Sequence, residues 1–160
     1  MPVQKTIFIV VAMSCLFAVS ACSGGPTIPE GDWLSFSALE EGASSNRALT
    51  CTPEICPSTS DFEPAAEFGV PADRLADAVI QIVPEAQRQE MPNGDIRIRY
   101  VAVTAIMRFR DDVDLLIRPE GENSSVLAAY SRSRVGRSDL GKNASRIDAL
   151  VKRLEDAVAG

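Results

Sequence analysis

Asp95-Ile96-Arg97-Ile98-Arg99-Tyr100-Val101-Ala102-Val103-Thr104-Ala105-Ile106-Met107 decides the fold class. β-Branched and aromatic side chains dominate it, as a pleated, half-buried strand requires. Successive side chains of a strand alternate between faces. Ile96, Ile98, Tyr100 and Ile106 therefore share one face, with Arg97 and Arg99 on the other. The alternation then shifts. Phe109, Val113, Leu115 and Ile117 occupy odd positions, so a bulge or break is expected near Arg108–Asp111. Pro119-Glu120-Gly121-Glu122-Asn123 carries turn chemistry, and it predicts a hairpin of strands 112–118 and 125–135. The register of the second strand stays open, because both its faces carry small apolar residues.

Working outward, Ala72, Leu75, Ala76, Val79, Ile80 and Val83 recur at the spacing of one helical face, which predicts a helix over 72–83. Pro71 suits its first turn and Pro84 stops it. A second helix is expected over 142–158, with Ile147, Leu150, Val151, Leu154 and Val158 as its buried stripe. The order helix, strands, helix implies an α+β domain over 61–160: a small antiparallel sheet of about three strands with two helices on one side.

The amino terminus reads as an address. Lys5 is followed by an apolar run from Ile7 to Ala18, the length of an export signal's core and short of the roughly 20 residues a membrane span needs. Val19-Ser20-Ala21-Cys22 then resembles the lipobox of bacterial lipoproteins, an aliphatic residue and two small ones before cysteine. The resemblance implies cleavage of a signal peptide, 1–21, and acylation of the Cys22 thiol, which would tether the chain to a membrane facing the periplasm. Ser23 after the cysteine, rather than aspartate, favours the outer membrane. An uncleaved anchor helix and an ordinary secreted protein are the alternatives. Residues 22–60, rich in Gly, Ser, Thr and Pro, read as a tether with a cysteine loop. Trp33, Leu34, Phe36 and Leu39 interrupt it as candidates for a short element packed on the domain.

Removing Cys15 with the signal and Cys22 with the lipid leaves Cys51 and Cys56, close together and even in number. In an oxidising periplasm such a pair reads as a disulfide. The spacing is wrong for a Cys-x-x-Cys redox pair, and zinc would need two further ligands. Histidine is absent, which excludes Ser-His-Asp and Cys-His catalysis and histidine-bound metals. No cofactor or metal site is indicated. With 16 basic and 22 acidic residues the formal charge is −6, which argues against general nucleic-acid binding.

Against that acidic background, residues 131–146 hold Arg132, Arg134, Arg137, Lys142 and Arg146 beside a single acid, Asp139. Gly136 and Gly141 turn the chain into the final helix, which Asp139 or Asn143 could cap. This stretch, with Phe109-Arg110-Asp111-Asp112-Val113-Asp114 and Arg146-Ile147, resembles the DUF1499 domain, a bacterial and plastid family whose molecular function is not established. The likeness spans roughly 50–155. Cys51 and Cys56 look like the family's Cys-Pro-rich segment with altered spacing. The resemblance implies one domain with a cysteine loop and no particular activity.

Two readings of the basic segment compete. In the first the arginines are braces: Arg132 or Arg134 pairs with Asp112 or Asp114, and Arg146 with Asp139. In the second they form an anion site near a helix amino terminus, for an anionic lipid, lipopolysaccharide phosphate or cell-wall polymer. Either gives a non-enzymatic binding or structural module. The alternative is a small hydrolase or transferase acting on envelope substrates, built on Asp111, Asp112 and Asp114 or on Ser131, Ser133 and Ser138 with Lys142 as base.

Overall fold

The computed structural model describes residues 31–42, 45–105, 107–136 and 138–160. The signal segment, Cys22, Ile106 and Arg137 lie outside the described residues. Among the described residues, a short 3-10 turn (Phe36–Ala38) precedes seven strands and two α-helices: β1 (Arg47–Cys51), β2 (Glu63–Pro64), β3 (Ala66–Phe68), α1 (Ala72–Ile82), β4 (Gln87–Glu90), β5 (Ile96–Val103), β6 (Arg110–Gly121), β7 (Ser124–Ser133) and α2 (Lys142–Val158).

The class is α+β, but the expected three-stranded antiparallel sheet is corrected to a mixed sheet of seven, in the order β2-β1-β7-β6-β5-β4. The β5–β6–β7 meander is the part the sequence pattern reaches. β1 and β3 both run antiparallel to β7, one after the other along its single free edge. β2 then adds parallel to β1, which makes the sheet mixed. The four strands the pattern misses are two to five residues long, and β4 (Gln-Arg-Gln-Glu) has no apolar position at all. Charged residues on such an outer strand discourage pairing with other chains.

The sheet is covered on both faces. On one, Ile98, Val113, Leu115, Ile117, Leu127 and Ala129 meet Leu75 and Val79 of α1 and Ile147, Leu150 and Leu154 of α2. Both helices thus lie on the same side, with the stripes their periodicity predicts. On the other face Leu116, Val126, Ala128 and Tyr130 pack against Phe36, Leu39, Leu49, Ile55 and the Cys51–Cys56 disulfide. This explains the ambiguous register of β7: both its faces are apolar because both are buried, odd residues toward the helices and even residues toward the disulfide. Phe36, β1 and the cysteine loop thus pack directly on the sheet. The disulfide, both cores and the whole sheet lie between residues 33 and 158. Among the described residues, no helix is long and apolar enough to cross a membrane.

Candidate binding site

The helix-facing row of the central hairpin turns polar at one end. Along β6 it runs Ile117, Leu115, Val113 and then Asp111, and along β7 Leu127, Ala129, then Ser131 and Ser133, with Asp111 opposite Ser133 and Val113 opposite Ser131. The first turns of α2 rest on this end. Asn143, fully buried, accepts at Oδ1 from Ser131 Oγ at 2.7 Å and from Arg146 Nη1 at 2.7 Å. Its Nδ2 donates to the Asn46 carbonyl at 2.7 Å and to Ser133 Oγ at 3.2 Å. Arg146 also donates to Ser131 Oγ at 2.8 Å and forms an ion pair with Asp111. Asp111 is 2% exposed, and its Oδ1 has no hydrogen-bond partner among the described residues. A buried polar cluster of this kind is costly wherever it is left incomplete.

Among the described residues, the arginines of the expected anion site lie on two faces of the sheet. Arg134 donates to Asp112 Oδ1 from Nε at 3.0 Å and from Nη2 at 2.7 Å, on the face of the sheet away from the helices. Arg132 reaches the same carboxylate at 3.6 Å. Arg146 lies on the opposite face, paired with Asp111 and not with Asp139. Asp139 instead accepts from the backbone N–H of Asn143 at 2.6 Å and of Gly141 at 3.2 Å, so it caps α2. Gly141 holds a φ of 77°, open to glycine without strain. Lys142 is exposed at the start of α2.

Beyond the polar cluster, two loops stand side by side. The β5–β6 turn closes on itself through Thr104, whose N–H donates to the Phe109 carbonyl at 2.9 Å and whose Oγ1 accepts from the Phe109 N–H at 2.9 Å. Between this turn and the β7–α2 loop lies an open cleft of about 630 Å³ walled by Met107, Phe109, Val135 and Leu140, with Asp111, Ser133 and Lys142 among its polar borders. These apolar side chains are exposed, Met107 by 65% and Leu140 by 92%. Arg108 and Leu140 are the two non-glycine residues with left-handed backbone among the described residues, at φ 56° and 52°. Such a conformation disfavours L side chains and is uncommon outside glycine.

The other spaces are smaller or more polar. A groove of about 530 Å³ between β1 and α2 is bordered by Arg47 and Asp61, which bond to each other at 2.9 Å. A recess of about 100 Å³ on the far face gathers Asp32, Arg99, Asp112, Asp114 and Arg132. Ligand pockets usually enclose about 300–1,000 Å³, so this recess is too small. Within it, burial first and the Asp112 charge second push Asp114 up to about 6, against the pull of Arg99 and Arg132. On the helix face, burial pushes Tyr100 up to about 12, which leaves its phenol protonated at neutral pH. No cluster of three or more potential metal ligands occurs among the described residues.

The described family DUF1499, protein of unknown function, matches residues 39–154. The chain belongs to the DUF1499 family. The match takes in the disulfide loop, the whole sheet and α2 through Leu154, and so both the polar cluster and the cleft. No curated protein matches the chain.

Of the residues singled out from sequence, the structure joins Cys51 to Cys56 and brings Lys142 to the cleft. Asn46, Met107, Phe109, Val135 and Leu140 were not anticipated as parts of one site. The break in alternation near 108–111 was the signal for the turn, but nothing in the pattern shows that two loops distant in sequence share a cleft.

Proposed function

We propose that this DUF1499 protein is a lipid-anchored envelope module that binds an apolar or amphipathic ligand in the cleft between the β5–β6 turn and the β7–α2 loop. The supporting observation is the gathering of Met107, Phe109, Val135 and Leu140 around an open space of about 630 Å³, with Lys142 at its border. Ligand sites are typically apolar concavities with a few polar groups that fix orientation. An anionic amphiphile fits both the walls and the lysine.

Binding is favoured over catalysis because the chain offers no histidine to activate the cleft's hydroxyls, which act as hydrogen-bond acceptors. Ser133 Oγ accepts from Asn143, and Ser138 Oγ accepts from the Leu140 N–H at 3.4 Å. Lys142 is exposed, whereas an activated lysine base needs a desolvated pocket. The anchor rests on the Val19-Ser20-Ala21-Cys22 motif, and Ser23 points to the outer membrane.

Titration of residues 23–160 with dodecanoate, followed by calorimetry, tests the cleft. Saturable binding that Phe109→Asp weakens at least tenfold is expected. An absence of heat, or binding indifferent to that substitution, overturns the reading. Acyl labelling in a bacterial host tests the anchor: Cys22→Ala is expected to abolish the label, and an unlabelled wild type removes the lipoprotein assignment.

A further inference from the structure

The exposed large apolar residues of the described chain are Val103, Met107, Phe109, Val135 and Leu140, and all five stand at one end of the molecule, on or beside the same two loops. The flanking charge is basic. Arg108 is exposed at the tip of the β5–β6 turn and Lys142 at the start of α2, while Asp139 is engaged in capping and Asp111 and Asp112 are held by arginines. An acidic protein of net charge −6 thus presents an apolar end flanked by two exposed cations, Arg108 and Lys142. That pairing is the one an anionic bilayer recognises: apolar side chains enter the acyl boundary while lysine and arginine rest among the headgroups.

We infer that this end docks onto the bilayer that carries the lipid anchor, with Met107 and Leu140 inserted and Arg108 and Lys142 on anionic headgroups. The inference rests on the anchored reading above and adds a second, protein-borne contact with the same membrane. The chain's geometry permits it. The Gly31 carbonyl accepts from Arg99 Nη1 at 2.9 Å, which fixes the start of the described chain beside the middle of β5. Val103, at the apolar end of that strand, lies four residues further on, about 13 Å at strand spacing. The nine residues from Cys22 to Gly31 can extend to about 30 Å. An anchor in the bilayer therefore leaves the apolar end free to reach the same surface.

Residues 23–160 contain both cores and the entire sheet, so the unanchored chain is the appropriate probe, and failure of acylation would not affect it. Co-sedimentation is measured with phosphatidylcholine vesicles and with vesicles containing phosphatidylglycerol. The chain is expected to bind the anionic vesicles, with affinity falling as salt rises. Leu140→Trp is expected to blue-shift on binding and to be quenched by brominated acyl chains. Met107→Asp/Leu140→Asp is expected to reduce vesicle binding at least tenfold with unchanged thermal unfolding; aspartate tolerates the left-handed backbone at position 140. Failure of the wild type to bind vesicles, or binding without quenching at position 140, overturns the inference. Dodecanoate binding without vesicle binding leaves the cleft reading standing and removes the docking. A concentration-dependent dimer that buries Leu140 would assign this end to a second copy and overturn the inference as well.

Discussion

Replacing Arg146 by Met removes the guanidinium but keeps most of the aliphatic stem, so the change isolates its charge and hydrogen bonds. Three partners lose their donor: Asp111, Ser131 Oγ and Asn143 Oδ1. The carboxylate of Asp111 decides the magnitude. It is 2% exposed and already has one oxygen without a partner, so water cannot readily take over from the arginine. Breaking a buried ion pair from one side costs about 3–5 kcal/mol. A domain of ordinary stability has about 5–15 kcal/mol in total, so the variant should sit near the edge of folding. A fall in melting temperature on the order of 10–20 °C follows. Urea unfolding of wild type, Arg146→Met, Asp111→Asn and the double variant forms a cycle that separates the pair from its surroundings. The expected coupling is about 2–3 kcal/mol, with the double variant more stable than the sum of its singles. A loss below about 1 kcal/mol for Arg146→Met, or a coupling indistinguishable from zero, would refute the account of Arg146 as the counter-charge of a sealed carboxylate.

Cys51→Ala/Cys56→Ala should lose about 2 kcal/mol for so short a loop on the chain-entropy model, and more where the buried sulfurs leave a void in the second core; urea midpoints with and without reductant should differ for wild type alone. Asp114 is raised from 3.8 to about 6 in the folded chain, so the native state binds more protons than the unfolded one between those values. Stability attributable to this group is therefore greatest below about pH 4, falls as pH rises toward 6, and stays at its lower level above that. Asp114→Asn should flatten that part of the pH profile and unfold at higher urea than wild type at pH 7, by about 1–3 kcal/mol. A variant profile parallel to wild type from pH 4 to 7 would remove the buried-carboxylate explanation.

The helices and the central meander were legible because their burial is periodic. Leu75 and Val79, or Ile147, Leu150 and Leu154, repeat at 3.6-residue spacing, and Ile96, Ile98 and Tyr100 at two. The pattern failed where burial has a different cause. β1 lies in a segment whose composition suggests a linker, yet Leu49 and Cys51 are buried because the disulfide loop and Phe36 roof the second face of the sheet. β4 and β2 carry no apolar stripe; they are strands because β5 and β1 offer them backbone partners. At the site, sequence placed the basic segment correctly at a strand–turn–helix junction but could not assign its charges. The face of the sheet away from the helices brings Arg132 and Arg134 to Asp112, whereas Arg146, from α2, reaches Asp111 on the other face. Adjacent aspartates thus have partners on different sides of one sheet, a consequence of the strand's two-residue period.

The same period explains why the apolar end is not an extension of the core. Toward α2's first turns, the helix-facing row passes from Val113 and Ala129 into Asp111, Ser131 and Ser133, and Asn143 and Arg146 seal it. Met107, Phe109, Val135 and Leu140 lie beyond that polar layer and belong to neither buried cluster. Well-packed apolar residues in place of buried ions are often as stable or more so, by the usual balance of desolvation against pairing. At positions 111, 131, 143 and 146 they would also offer the two loops an apolar surface to collapse upon. The polar layer removes that option. Apolar side chains that the fold separates from its own interior in this way remain available to a surface or ligand outside the chain.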